Sequence, residues 1–420
     1  MTEPTDTDGT DEHPPPLRGI RVIDYSHFLA GPFLSRCLAA MGAQVVKVER
    51  PTAGDGGRAH PYFIDGHSGY FLQQNMGKQG LCVNVRDPRG LDLMHRLVDT
   101  ADVFVENYRP GALDRLGLGY ADLSARNARL VYCSISAYGH SGPDADNAGF
   151  GLIAEAKSGA MAMIGVPGEA PPLFRIALAD MYTGIHGVAA VNAALLGRAT
   201  SGRGQHIDLA LYDCMVSMHE YAVQCYTLSG GEEVPVQTGH DLPESTVYGV
   251  FPGRDGYLVI TAQTDAIWLR LAKLLGGDAL AADTRFRGQE GRNAHREKIR
   301  AMIQAWAMGQ PSVQACLDAL DAAGVPCAKV QGIDDVLADP QIRARGMVIE
   351  QDHPVLGRIR MPNLPFRFSG YEPPVPAVAP TIGEHNRSIA ASLGYSGEEI
   401  ASMIADGVLY QEDDAADRVA

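Results

Sequence analysis

The sequence has no apolar run near the ~20 residues that a membrane helix needs. Its longest small-apolar stretch, "GVAAVNAALLG", reads as a buried helix, so no membrane partner is expected. Cysteine is sparse. The seven (Cys37, Cys82, Cys133, Cys214, Cys225, Cys316, Cys327) are odd in number and scattered, and no CxxC occurs. That argues against a disulfide framework and for a reduced, cytoplasmic setting with small buried thiols. Positive charge is short as well: 35 Lys and Arg face 50 Asp and Glu, a formal net charge of −15. Such a surface excludes non-specific nucleic-acid binding, and any anionic ligand must be met by a local basic cluster. The histidines are dispersed, so no metal is expected. There is no P-loop, no HExxH and no GxSxG. The opening "MTEPTDTDGTDEHPPP" lacks a basic and an apolar region, so residues 1–16 read as a disordered acidic tail rather than a signal peptide.

What the chain does have is an α/β pattern. Hydrophobic residues make up 45% of 420, enough for two domains with sizeable cores. Ile20–Tyr25 and Val45–Val48 read as buried parallel strands around a helix near Pro32–Met41, with Gly42 as its left-handed stop. Strands at Leu81–Asn84, Asp102–Glu106 and Leu130–Ile135 alternate with helices, which argues for a parallel sheet with right-handed crossovers. A helix is expected at about Met181–Arg198 and another near Cys214–Leu228. The texture then changes. "SGGEEVPVQTGHDLPES" is a linker by composition, and "VYGVFPGRDGYLVITAQT" reads as a hairpin. Residues 235–345 form a second, smaller α/β unit on this reading.

The first unit, "IRVIDYSHFLAGPFLSRCLAAMGAQVVKVER", has the outline of a nucleotide-binding βαβ element. Its turn, Ser26 to Pro32, lacks the glycines of GxGxxG, which rules out a pyrophosphate cradle of that kind. The segment resembles instead the N-terminus of family III CoA-transferases (CaiB/BaiF type). This group includes formyl-CoA and carnitine CoA-transferases and the related α-methylacyl-CoA racemases. "NMGKQGLCVNVRDPRG", "VFVENYRPGALDRLGLGY", "LADMYTGIHGVAAVNAALLGRATSGRGQHIDLALYD", "GVPCAKV" and "GEHNRSIAASLGYS" resemble further landmarks of that family, from about Leu17 to Leu409.

The resemblance implies a Rossmann-like large domain over residues 17–234, a small domain over 235–345, and a return segment, 346–420, that completes the large one. It also implies an interlocked homodimer. Coenzyme A, carried as acyl-CoA, and a carboxylic acid would be substrates, with no prosthetic group. Asp180, in "RIALADMYTG", occupies the place of the family nucleophile. By itself it reads as a helix N-cap, a role aspartate favours. Arg50, Arg86, Arg115 and Lys78 resemble the family's cations for the CoA phosphates, where arginine's planar fork suits phosphate. Asn107 and Tyr108 resemble CoA contacts at a strand's carboxyl end. Val83 and Ala112 would supply apolar or backbone contact. Phe28 and Leu29, with Phe150, suggest an apolar acyl pocket. The racemase branch needs two acid/base groups about the α-carbon. Where it places a histidine followed by an aspartate, this sequence has Phe150 and Gly151, neither of which moves a proton. The expected activity is therefore CoA transfer, with a racemase or a silent CoA-binding protein as the alternatives.

Overall fold

Short β-branched runs build the centre of the larger of two units. A computed structural model describes residues 13–242 and 244–411. Strand β1 (Arg21–Tyr25) leads through helix α1 (Ala30–Ala40) to β2 (Gln44–Glu49). A small ribbon, β3 (Phe63–Ile64) and β4 (His67–Ser68), precedes α2 (Gly69–Asn75), β5 (Gln79–Cys82), α3 (Pro88–Asp99) and β6 (Val103–Glu106). Then come α4 (Tyr120–Arg126), β7 (Val131–Ser136), α5 (Gly151–Lys157), the long α6 (Leu178–Ser201), β8 (His206–Ala210) and α7 (Leu211–Ser217).

The main sheet has the order β5-β2-β1-β6-β7-β8, and every neighbouring pair is parallel. The chain runs outward from β1 through β2 to β5, then returns to β1's other side with β6. Open α/β sheets hold ligands at such a reversal, beyond the carboxyl ends of the strands. Both faces of the sheet are covered, so its inner strands bury apolar residues on either side rather than alternating with exposed ones. One face buries Ile23, Val46, Leu81 and Phe104, and helices 386–392 and 397–405 close it with Ile389, Ile400 and Met403. The other buries Val22, Val45, Val105 and Val131 against α1 and α6.

The described residues fall into two compact units. One takes in the chain to Ala160, Phe174–Glu220 and everything from Ala344 onward; the other is Met161–Leu173 with Tyr221–Arg343. The second unit carries an antiparallel sheet of β9 (Asp241–Leu242), β10 (Ser245–Gly253), β11 (Gly256–Thr261) and β12 (Cys327–Lys329). Its hairpin turns at Arg254 and Asp255, between paired Gly253 and Gly256. Trp268, Leu271, Phe286, Ile299 and Leu320 form its core. In the first unit, β13 (Val348–His353) and β14 (Gly357–Pro362) make a further hairpin.

The helix expected near Cys214–Leu228 is two helices, α7 and 222–228. Met218 and His219 donate to carbonyls three residues back, tightening the turn that ends the first. Of the tail, residues 1–12 lie outside the described residues; Pro15 packs against Gly42. The cysteines are free thiols, and five of them are buried. Among the described residues no helix is long and apolar enough to cross a membrane. No group of three or more His, Cys, Asp or Glu could hold a metal there.

Candidate active site

The glycine-poor turn after β1 is held by buried charge. Asp24, wholly buried at the end of β1, accepts hydrogen bonds from Ser26 N–H and Oγ, from Ser35 Oγ at 2.6 Å and from Lys78 Nζ at 2.8 Å. Lys47 of β2 adds its ammonium at 3.9 Å and pairs with Asp55 at 2.7 Å. Burial alone would raise the Asp24 carboxyl. Lys47 and Lys78 overcome that and hold it well below the usual range. Asp55 then reaches the turn, accepting from Phe28 N–H at 2.8 Å and Gly57 N–H at 2.7 Å. Asn107 clamps the neighbouring peptide, accepting from His27 N–H at 2.8 Å and donating to His27 O at 2.7 Å. Phe28 is thereby fixed at φ +62°, a left-handed conformation costly for an aromatic residue. Its ring lies over Gly56, where a Cβ would come within 2.4 Å of it.

Above this floor opens a cleft of about 490 Å³ at the β1/β6 reversal. Phe28, Arg50, Val83, Arg86 and Tyr108 line it, with Tyr25, His27 and Leu116 among the rest. Arg50 and Arg86 are exposed, and among the described residues neither side chain has a hydrogen-bond or ion-pair partner. Nearby Arg58, by contrast, is committed to Glu49 through two 2.8 Å bonds.

The other sequence candidates lie elsewhere. Lys78 is sealed below the turn, its ammonium donating to Asp24, Pro32 O and Asn75 Oδ1. Leu29 packs in the core with α1. Asn107 acts on the turn's backbone. Ala112 sits in a turn, its N–H on Arg109 O. Arg115 is exposed and outside the cleft wall, which takes its neighbour Leu116 instead. Sequence reasoning missed Asp24, Lys47 and Asp55.

Asp180 is in the first turn of α6, but it is not the cap. The N-cap is Ala177, which offers no side-chain bond, and Asp180 is the third helical residue. The capping role that its sequence position suggests is therefore not the one it plays. Gly151, the first residue of α5, lies against its carboxylate; a Cβ there would sit 2.1 Å from Oδ2. Glu155, one turn along α5 and buried, accepts from Ala179 N–H at 3.2 Å. Desolvation, then the Glu155 charge, push the Asp180 carboxyl up to about 6. Phe150, just before Gly151, is exposed and meets the Phe28 ring edge-on at 6.4 Å. Phe28 of the cleft wall thus meets the residue that precedes the glycine on which Asp180 rests. Tyr70 also feels both Asp180 and Asp55.

Comparison with known proteins agrees with this architecture. The profile of CoA-transferase family III matches residues 17–386. The chain is 37% identical over 393 residues to the succinate–glutarate CoA-transferase of Agrobacterium fabrum, covering 90% of this chain and 96% of that one. It is 34% identical over 401 residues to the succinyl-CoA:glutarate CoA-transferase of Mus musculus, covering 95% and 91%. The crystal structure of a CaiB/BaiF family protein from Brucella suis superposes with a TM-score of 0.80 at 36% identity, over 90% of this chain and 99% of that one. The chain belongs to CoA-transferase family III.

Proposed function

We propose that this enzyme moves CoA from an acyl-CoA to a carboxylic acid through covalent intermediates on Asp180. The carrying observation is the carboxylate itself. It stands in the first turn of α6, pressed on Gly151, whose neighbour Phe150 meets Phe28 of the cleft wall. On this reading Arg50 and Arg86 meet the CoA phosphates, and Phe28, Val83 and Tyr108 give the remaining cofactor length its apolar contact.

A free thiol has a pKa of ~8.5, so a thioester has a good leaving group. An Asp180 oxygen attacks the thioester carbonyl; the C–O bond forms, the C–S bond breaks, and CoA leaves as thiolate. The thiolate attacks the Asp180 carbonyl of the resulting anhydride, releasing the donor acid and leaving an aspartyl-CoA thioester. The acceptor carboxylate attacks that thioester and sets CoA free again. CoA then attacks the acceptor's own carbonyl, forming the new acyl-CoA and restoring Asp180. Each bond broken is matched by one of similar energy, so a difficult exchange becomes a chain of nearly balanced steps. Water must be kept out, since it hydrolyses every intermediate.

The relatives' names make succinyl-CoA and glutarate the first pair to test. Incubation with that pair and with acetyl-CoA, followed by hydroxylamine trapping and peptide mapping, is expected to mark "LADMYTG". Normal transfer by a folded Asp180→Ala variant overturns the mechanism. A cytoplasmic homodimer belongs to the same reading, supported by large apolar side chains open in the single chain, such as Leu196 at 75% exposure. Light scattering tests it.

A further inference from the structure

Glu155 is a buried acid that the chemistry above does not use. It shares one face of α5 with Gly151, four residues earlier, and that face meets the first turn of α6. Gly151 lets the Asp180 carboxylate come against α5, and the Glu155 carboxylate lies against the N–H of the preceding residue, Ala179. Two acids are thus held at one helix start, and among the described residues no cation is paired with either.

The other elements packed on α6 do not compensate them. Helix α1 presents Ala30, Phe33 and Leu34. Helix α7 brings Cys214 near Thr183, and β8 sets Leu209 against Gly187. Tyr70 of α2 feels the Asp180 charge and adds no positive one. The far end of α6 carries Arg198, which is occupied by Asp102 at 2.7 Å.

We propose that Glu155 is a positioning residue that destabilises the free Asp180 carboxylate and so favours the covalent intermediates. This rests on Asp180 being the nucleophile. With both acids ionised, the pair carries two negative charges. When the Asp180 oxygen bonds to the acyl carbon and the sulfur departs with the electron pair, one of those charges leaves on the CoA thiolate. Asp180 stays uncharged in both the anhydride and the aspartyl-CoA thioester, so repulsion from Glu155 is relieved throughout. Protonation neutralises Asp180 in the same way. One interaction therefore raises both equilibria, and each pH unit it contributes is worth a factor of about ten in acylation.

The test is Glu155→Gln, whose amide oxygen still accepts from Ala179 N–H. The acid limb of kcat/KM is expected to move down by about one pH unit. The ratio of trapped adduct to free enzyme, at fixed acyl-CoA and CoA above about pH 7, should fall about tenfold. Glu155→Asp should restore part of both. An acid limb and adduct ratio unchanged in Glu155→Gln overturn the proposal while leaving the Asp180 mechanism intact. No adduct in the unaltered enzyme with succinyl-, glutaryl- or acetyl-CoA overturns the mechanism, and this inference with it. If Glu155→Gln does not fold, Glu155→Asp, which draws the charge back by one methylene, decides: an acid limb and adduct ratio below those of the unaltered enzyme support the proposal, and unchanged values defeat it.

Discussion

Two carboxylates, the wholly buried Asp24 and the half-buried Asp180, lie in the same unit and meet opposite surroundings. Both lose water, which by itself favours the neutral acid. Asp24 is answered by Lys47 and Lys78 and stays firmly ionised. Asp180 is answered by another carboxylate and is pushed up to about 6. Compensated charge makes a rigid support, here for the strained Phe28 turn. Uncompensated charge makes a group that gains by forming a bond. The charge left over after pairing therefore separates scaffold from chemistry in this molecule.

The strongest break of that contrast is at Asp180. Asp180→Ala should lower transfer by a factor on the order of 10⁴ or more in steady-state assays, with the fold retained by circular dichroism. Asp24→Asn, or Lys78→Met, should instead unfold the scaffold. Removing one partner of a buried pair costs ~3–5 kcal/mol, read as a lowered denaturant midpoint. Asp180→Asn should go the other way and stabilise the protein by ~1–3 kcal/mol at about pH 7. The sign follows from linkage. Asp180 is raised on folding, so its ionisation costs stability as pH climbs through the interval from its ordinary value to about 6. The advantage of the asparagine variant should disappear when melting is repeated near pH 4. Asp24 has the opposite sign: its contribution is present above the ordinary carboxylate range and is lost as pH falls through and below it. Smaller effects belong to the cleft rim. Arg50→Ala and Arg86→Ala should each raise the KM for acyl-CoA about tenfold with kcat little changed, as expected for a charge-assisted phosphate contact. Arg115→Ala, outside the cleft wall, should change KM less than twofold; an equal loss at Arg115 would show the cleft to be misdrawn.

Much of the fold was legible. β-branched runs separated by helices announced the parallel sheet, because a strand covered on both faces buries most of its side chains. Phe28, Arg50, Val83, Arg86 and Tyr108 share one cleft because each lies just past the carboxyl end of a strand, where a reversal in strand order leaves a gap. Lys78 and Leu29 were less transparent. A lysine in a loop-like stretch reads as a surface cation, and nothing local says that Asp24, far away in sequence, will claim it. Glu155 was passed over for the same reason: along the chain it is one acid in "IAEAKSG".

The sequence alone determined which strands would form, and it placed an aspartate near the start of a long apolar helix. Periodicity and residue type are local, so they can be read without coordinates. Only the tertiary structure decided which charges would be neighbours. It put two ammoniums beside Asp24 and a carboxylate beside Asp180. Coulombic energy depends on separation in space and on lost solvent, and neither is written in the order of residues.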